Sequence, residues 1–159
     1  LARRGSTLLI DEVDALRAAV GLTRRQHPFH VDAWVVLPDH MRCIWTLPAG
    51  DCDFSTRWRQ IKTRFSRAVP RQITRASQLA RRERGVWQRR FWEHHIRNPQ
   101  DYWQHRDLCR DAPVKLGLVE KSTDWPYSSF TSDSVGCVLA RTCDVSKRLK
   151  AWDDHPIHH

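Results

Sequence analysis

The stretch from Phe29 to Leu37 constrains the fold more than any other, because it alternates. Phe29, Val31, Ala33, Val35 and Leu37 fall on one side, and His30, Asp32, Trp34 and Val36 on the other, which is the period of a β-strand. Pro38-Asp39 interrupts the run. Arg42 to Leu47 is a second β-rich stretch that stops before Pro48-Ala49-Gly50. Two such runs so close together predict an antiparallel hairpin.

The flanking segments have helical period. Asp11 to Gln26 reads as a helix, with Asp11 as its cap, Glu12 and Asp14 in the first turn where the helix dipole favours acids, and Arg24 and Arg25 at the end. Val13, Leu16 and Val20 give it one apolar face. Phe54, Trp58, Ile61 and Phe65 recur at four, three and four residues, predicting an amphipathic helix from Ser55 to about Val69 whose other face carries Arg57, Arg59, Arg64 and Arg67. Residues 70–86 form a polar, basic connector. Asn98-Pro99 opens a third helix, expected to run to about Asp111 and to be stopped by Pro113. The order helix, hairpin, helix, connector, helix predicts an α+β domain over 1–130, with the helices on one face of an antiparallel sheet. Residues 131–159 form a C-terminal tail with no assigned structure.

A chain of 159 residues is long enough for one domain with a genuine core. Charges interrupt every hydrophobic stretch, so a membrane-spanning helix and a membrane partner are excluded. The basic start is followed by Asp11, Glu12 and Asp14 where a signal peptide would be apolar. Five cysteines without a C-x-x-C pattern read as ordinary thiols of a reducing cytoplasm.

The net charge of +9 is unevenly placed. Between Phe54 and Arg97 stand thirteen Lys or Arg against two glutamates, Glu83 and Glu93, so the rest of the chain is near neutral. Clustered arginine interleaved with Trp58, Trp87, Phe91 and Trp92 suits a polyanion, because guanidinium groups fork onto phosphates and aromatic faces accept unstacked bases. Arg57, Arg59, Lys62, Arg64, Arg67, Arg89 and Arg90 are the expected contacts to the phosphates of a nucleic acid. Trp58 and Phe65 are expected in the core, Trp34 and Trp45 either in sheet packing or stacked on bases, and Trp125 and Tyr127 in loop packing.

His40, at the start of the second strand, is the foremost candidate metal ligand. A ligand two residues on would share its face, but position 42 is Arg, which has no lone pair to give. His94 and His95 would point to opposite faces of a strand and could not share one ion there.

The run Phe29-His30-Val31-Asp32-Ala33-Trp34-Val35-Val36-Leu37-Pro38-Asp39-His40-Met41-Arg42 and its continuation to Pro48 resemble the core of the bacterial REP-associated tyrosine transposases, relatives of the HUH-class single-strand transposases. Asp53 to Lys62 resembles the helix that follows the hairpin in that family, and Trp87-Gln88-Arg89-Arg90-Phe91-Trp92-Glu93-His94 resembles its Trp-Gln-x-Arg-Phe-Trp-Glu-His block. Asp101-Tyr102, Pro113 to Val119 and Asp124 to Phe130 complete a collinear series from about Leu8 to Phe130.

The resemblance implies a ferredoxin-like HUH nuclease domain that recognises single-stranded or hairpin, REP-like DNA. In that family two histidines of a His-hydrophobic-His motif hold a divalent ion, Mg²⁺ or Mn²⁺, and a tyrosine on a later helix attacks the phosphorus, leaving a 5′-phosphotyrosine and a free 3′-hydroxyl. This chain departs at both positions. It reads His40-Met41-Arg42, so the second ligand is Arg42, and the tyrosine position is occupied by Leu108 in Asp107-Leu108-Cys109. Tyr102 is six residues away, about 600° round a helix, and does not substitute for it. The usual first strand, before the helix at Asp11, is also missing. The expectation is a degenerate, N-terminally truncated transposase homologue that binds DNA without cleaving it. The alternative is a basic DNA- or RNA-binding module with no catalytic role.

Overall fold

The computed structural model describes residue 2 and residues 5–70, 84–88 and 92–131. Its elements are α1 (Leu8–Asp11), α2 (Val13–Gln26), β1 (His30–Val36), β2 (Met41–Thr46), α3 (Phe54–Ala68), α4 (Pro99–Lys115) and a 3-10 turn at Ser122–Asp124. Most of the connector and all of the tail beyond residue 131 lie outside the described residues.

The first helix begins earlier than its charges suggested. Leu9 is fully buried and extends the apolar stripe of Leu16 and Val20 upstream, so the chain is already helical at Leu8. Asp11 is therefore not a cap: its carboxylate accepts the Thr7 hydroxyl at 2.7 Å, and the break between α1 and α2 falls at Glu12.

The two strands pair antiparallel, from Val36 opposite Met41 to His30 opposite Thr46, with a register shift between Val31 and Ala33. Asp32 is the extra residue of this bulge, and its carboxylate is anchored by the Thr46 hydroxyl at 2.6 Å and lies 3.1 Å from Nδ1 of His30. A bulge reverses the alternation beyond it. Phe29 and Val31 accordingly share a core with Trp34 and Val36, while Ala33, Val35 and Leu37 face the opposite side. Unbroken alternation over 29–37 was the wrong expectation for this reason.

Both faces of the hairpin are covered. Leu16, Ala19 and Val20 of α2 and Ile61 and Phe65 of α3 pack with Phe29, Val31, Trp34 and Val36. Tyr102, Cys109 and Ala112 of α4 pack with Ala33, Val35, Leu37 and Ile44 on the other side. The helices are thus on two faces, not the one expected, because the bulge gives β1 an apolar set on each. Trp34 is buried as sheet packing, and Trp45 lies between Phe29 and Trp58, its ring centroid 4.3 and 4.6 Å from theirs.

Pro113 does not end α4; it is buried inside the last turn. The stop is Gly117, at φ +67°, where the amides of Gly117 and Leu118 donate to the carbonyls of Val114 and Pro113, each at 2.9 Å. Such a left-handed terminus satisfies carbonyls the helix would leave orphaned. The chain then returns as a strap along the outer edge of β1. Val36 N–H donates to Tyr127 O, Ser129 N–H to Trp34 O, and the Trp125 indole N–H to Val36 O, at 2.8, 2.9 and 2.8 Å. Among the described residues no helix is long and apolar enough to cross a membrane.

Candidate nucleic-acid interface

The basic residues of α3 divide by helical position. Arg57 falls on the same stripe as Ile61 and Phe65 and is 3 % exposed. Its guanidinium donates to both carboxylate oxygens of Asp51, at 3.1 and 2.6 Å, and to the carbonyls of Asp53 and Pro28, each at 2.8 Å. Arg57 is therefore a structural cation, and its expected role as a phosphate contact is corrected. Arg64 bridges to α2, donating to Gln26 Oε1 at 2.6 Å. Lys62 is half-buried with Nζ 5.7 Å from the Trp87 ring centroid, and burial pulls its pKa below the ordinary lysine value. Arg59 and Arg67 are exposed on the outer face. Arg89 and Arg90 lie outside the described residues.

On the other side of the hairpin, β2 and α4, which carry the two departing positions, pack on one core. Ile44 points into the α4 core, so Arg42, two residues earlier on the strand, shares its face. The positive charge of Arg42 acts on Cys109, next to Leu108, although burial dominates and raises that thiol to about 11. Leu108 is 40 % exposed, whereas Tyr102 is buried against the sheet. Nδ1 of His40 lies 2.8 Å from Asp39 Oδ1, a contact that holds the Asp39 carboxyl below its usual range. One imidazole with a guanidinium at the second position does not fit a divalent ion.

A second cluster escaped the sequence reading. His94, Asp101 and His105 bring one ligand-type atom each within 4.8 Å of one another. Asn98 caps α4 by accepting the Asp101 amide at 2.9 Å, which fixes Asp101 in the first turn with His105 one turn on. Nε2 of His94 lies 2.8 Å from Asp101 Oδ2, and Nδ1 of His105 lies 3.0 Å from Oδ1 and 2.9 Å from the Asp101 carbonyl. The hydrogen bond from His94 and the Arg97 amide hold the Asp101 carboxyl below the ordinary range. Since a carbonyl only accepts, the His105 nitrogen facing it carries the proton and has no lone pair there for a metal. The rings are also stacked, 4.3 Å apart and 12° from parallel, so one ion could not lie in both ring planes. The arrangement as it stands is a hydrogen-bonded clamp. The signal in the sequence is the Asp101/His105 spacing of four after a capping Asn98; nothing in the sequence links His94 to them.

Position 108 belongs to the same stripe of α4. Asp101, His105, Leu108 and Ala112 are spaced four, three and four apart, which places them on one side of the helix.

A hairpin covered by helices on both faces, with the strand that follows His40 and carries position 42 set against the helix carrying position 108, is an α+β domain of the HUH nuclease type. The solved structure of a REP-associated tyrosine transposase bound to a REP hairpin is similar, with a TM-score of 0.68 and 47 % identity over 80 % of this chain and 70 % of that one. The REP-associated tyrosine transposase of Escherichia coli K12 is 48 % identical over 133 residues, 84 % of this chain and 73 % of the relative. The putative REP-associated tyrosine transposase of Haemophilus influenzae is 39 % identical over 135 residues, 84 % of this chain and 77 % of the relative. No protein-family model matches the chain. The chain belongs to the REP-associated tyrosine transposase family.

Proposed function

We propose that this chain binds single-stranded or hairpin, REP-like DNA and does not cleave it. The observation that carries the second half is the residue at position 108, an exposed leucine of α4. Leucine has no oxygen to attack phosphorus, and Arg42 replaces a lone pair with a positive charge. Arg59 and Arg67 supply exposed phosphate contacts, with residues 1–130 as the binding unit and 131–159 as a tail. The chain's place is the cytoplasm, where cysteines without a C-x-x-C pattern stay reduced.

Incubation with a labelled REP-like hairpin and Mg²⁺ or Mn²⁺ tests the reading. The expected result is binding without a covalent protein–DNA adduct that survives denaturation. The double substitution Arg42→His and Leu108→Tyr is expected to restore such an adduct, and an adduct formed by the unaltered chain would overturn the proposal. Equal affinity for the hairpin and a scrambled strand at matched salt would instead favour a basic module without structural preference, because charge-only binding does not read shape.

A further inference from the structure

We propose that Trp92, held by His94 and His105, is a stacking platform for one unpaired base of the bound DNA. The inference rests on the DNA-binding reading above.

Trp92 is 73 % exposed, the most exposed large hydrophobic side chain among the described residues. An indole left in water ordinarily samples several rotamers, but this one is braced. Its ring lies 2° from parallel to His94 at 5.6 Å and 13° from parallel to His105 at 5.8 Å. The two imidazoles are in turn fixed by the Asp101 carboxylate in the first turn of α4. A flat aromatic face is thus pre-oriented toward solvent, which lowers the ordering cost of binding a second flat ring.

The surroundings select the ligand. Beside the stack runs an open groove of about 340 Å³, lined by His94, Arg97, Asn98, Gln100, Asp101 and Gln104. That volume is within the range of small-ligand sites, but the lining is polar and lacks the apolar walls of a pocket for a hydrophobic molecule. A nucleotide matches it: the base on Trp92, the phosphate near the exposed Arg97, and amide groups of Gln100 and Gln104 at hand for sugar or base edges. Gln104 is one turn before Leu108 on α4, so the groove lies on the same stretch of helix as Leu108. Bases in a duplex stem have no free face to offer; the occupant is an unpaired nucleotide.

The test compares a REP-like hairpin carrying a single-stranded extension, with 2-aminopurine placed at each unpaired position in turn, against the same hairpin without the extension. The full chain is expected to quench 2-aminopurine at one position of the extension. Trp92→Ala should abolish that quenching and weaken binding of the extended hairpin about tenfold, with binding of the blunt hairpin unchanged. Trp92→Phe should recover part of both effects. If Trp92→Ala quenches and binds as the unaltered chain does, the platform is refuted while DNA binding stands. If the unaltered chain binds neither hairpin, the DNA reading falls and takes the platform with it.

Discussion

Arg57 and Arg59 are two positions apart on α3 and have opposite roles. Arg57 is buried on four hydrogen bonds, two to the Asp51 carboxylate and two to the carbonyls of Pro28 and Asp53. Arg57→Met is expected to lower stability by about 2 kcal/mol, the order of leaving such acceptors unpaired, as read by urea denaturation. Arg59→Ala should leave that denaturation curve in place and reduce the salt dependence of DNA binding by about one phosphate contact. Sequence alone does not separate the two. Both are arginines of one basic run, and only the coincidence of Arg57 with the Ile61/Phe65 stripe marks it as inward. The missing hydroxyl at Leu108 and the missing lone pair at Arg42 are matters of residue identity and stand in the sequence itself.

At the scale of elements, period was read well and its interruptions poorly. The hairpin and α2 and α3 are visible as alternation or as spacings of three and four, and α4 through its Asn98-Pro99 opening. The Asp32 bulge was not, since its support comes from Thr46 on the partner strand and leaves no local mark. Pro113 looks like the stop of α4 in the sequence, but a proline in the last turn forfeits only one bond, and the true stop is the left-handed Gly117. Gly117→Ala is expected to lower stability by about 1 kcal/mol, a fall of roughly 3 °C in melting temperature for a domain of this size. The His94–Asp101–His105 clamp joins α4 to the segment before it, and a contact across a cap cannot be seen in either segment's own periodicity.

Across the whole molecule, α4 and the returning strap enclose the side of the hairpin that α2 and α3 leave open. The strap is held by few bonds, so each matters. Trp125→Phe removes the indole donor to Val36 O, and hydrogen exchange of the Val36 amide, which is bonded to Tyr127 O, should quicken about fivefold, as about 1 kcal/mol of local stability is lost. The same strap sets an order of events at birth. Trp34 and Ser129 are 95 residues apart in sequence, so at bacterial or eukaryotic translation speeds the outer edge of β1 leaves the ribosome about 5 to 20 s before the segment that covers it. For that interval the nascent hairpin shows bare amides and carbonyls, a template for pairing with another chain, and its protection must come from whatever meets it at the exit tunnel.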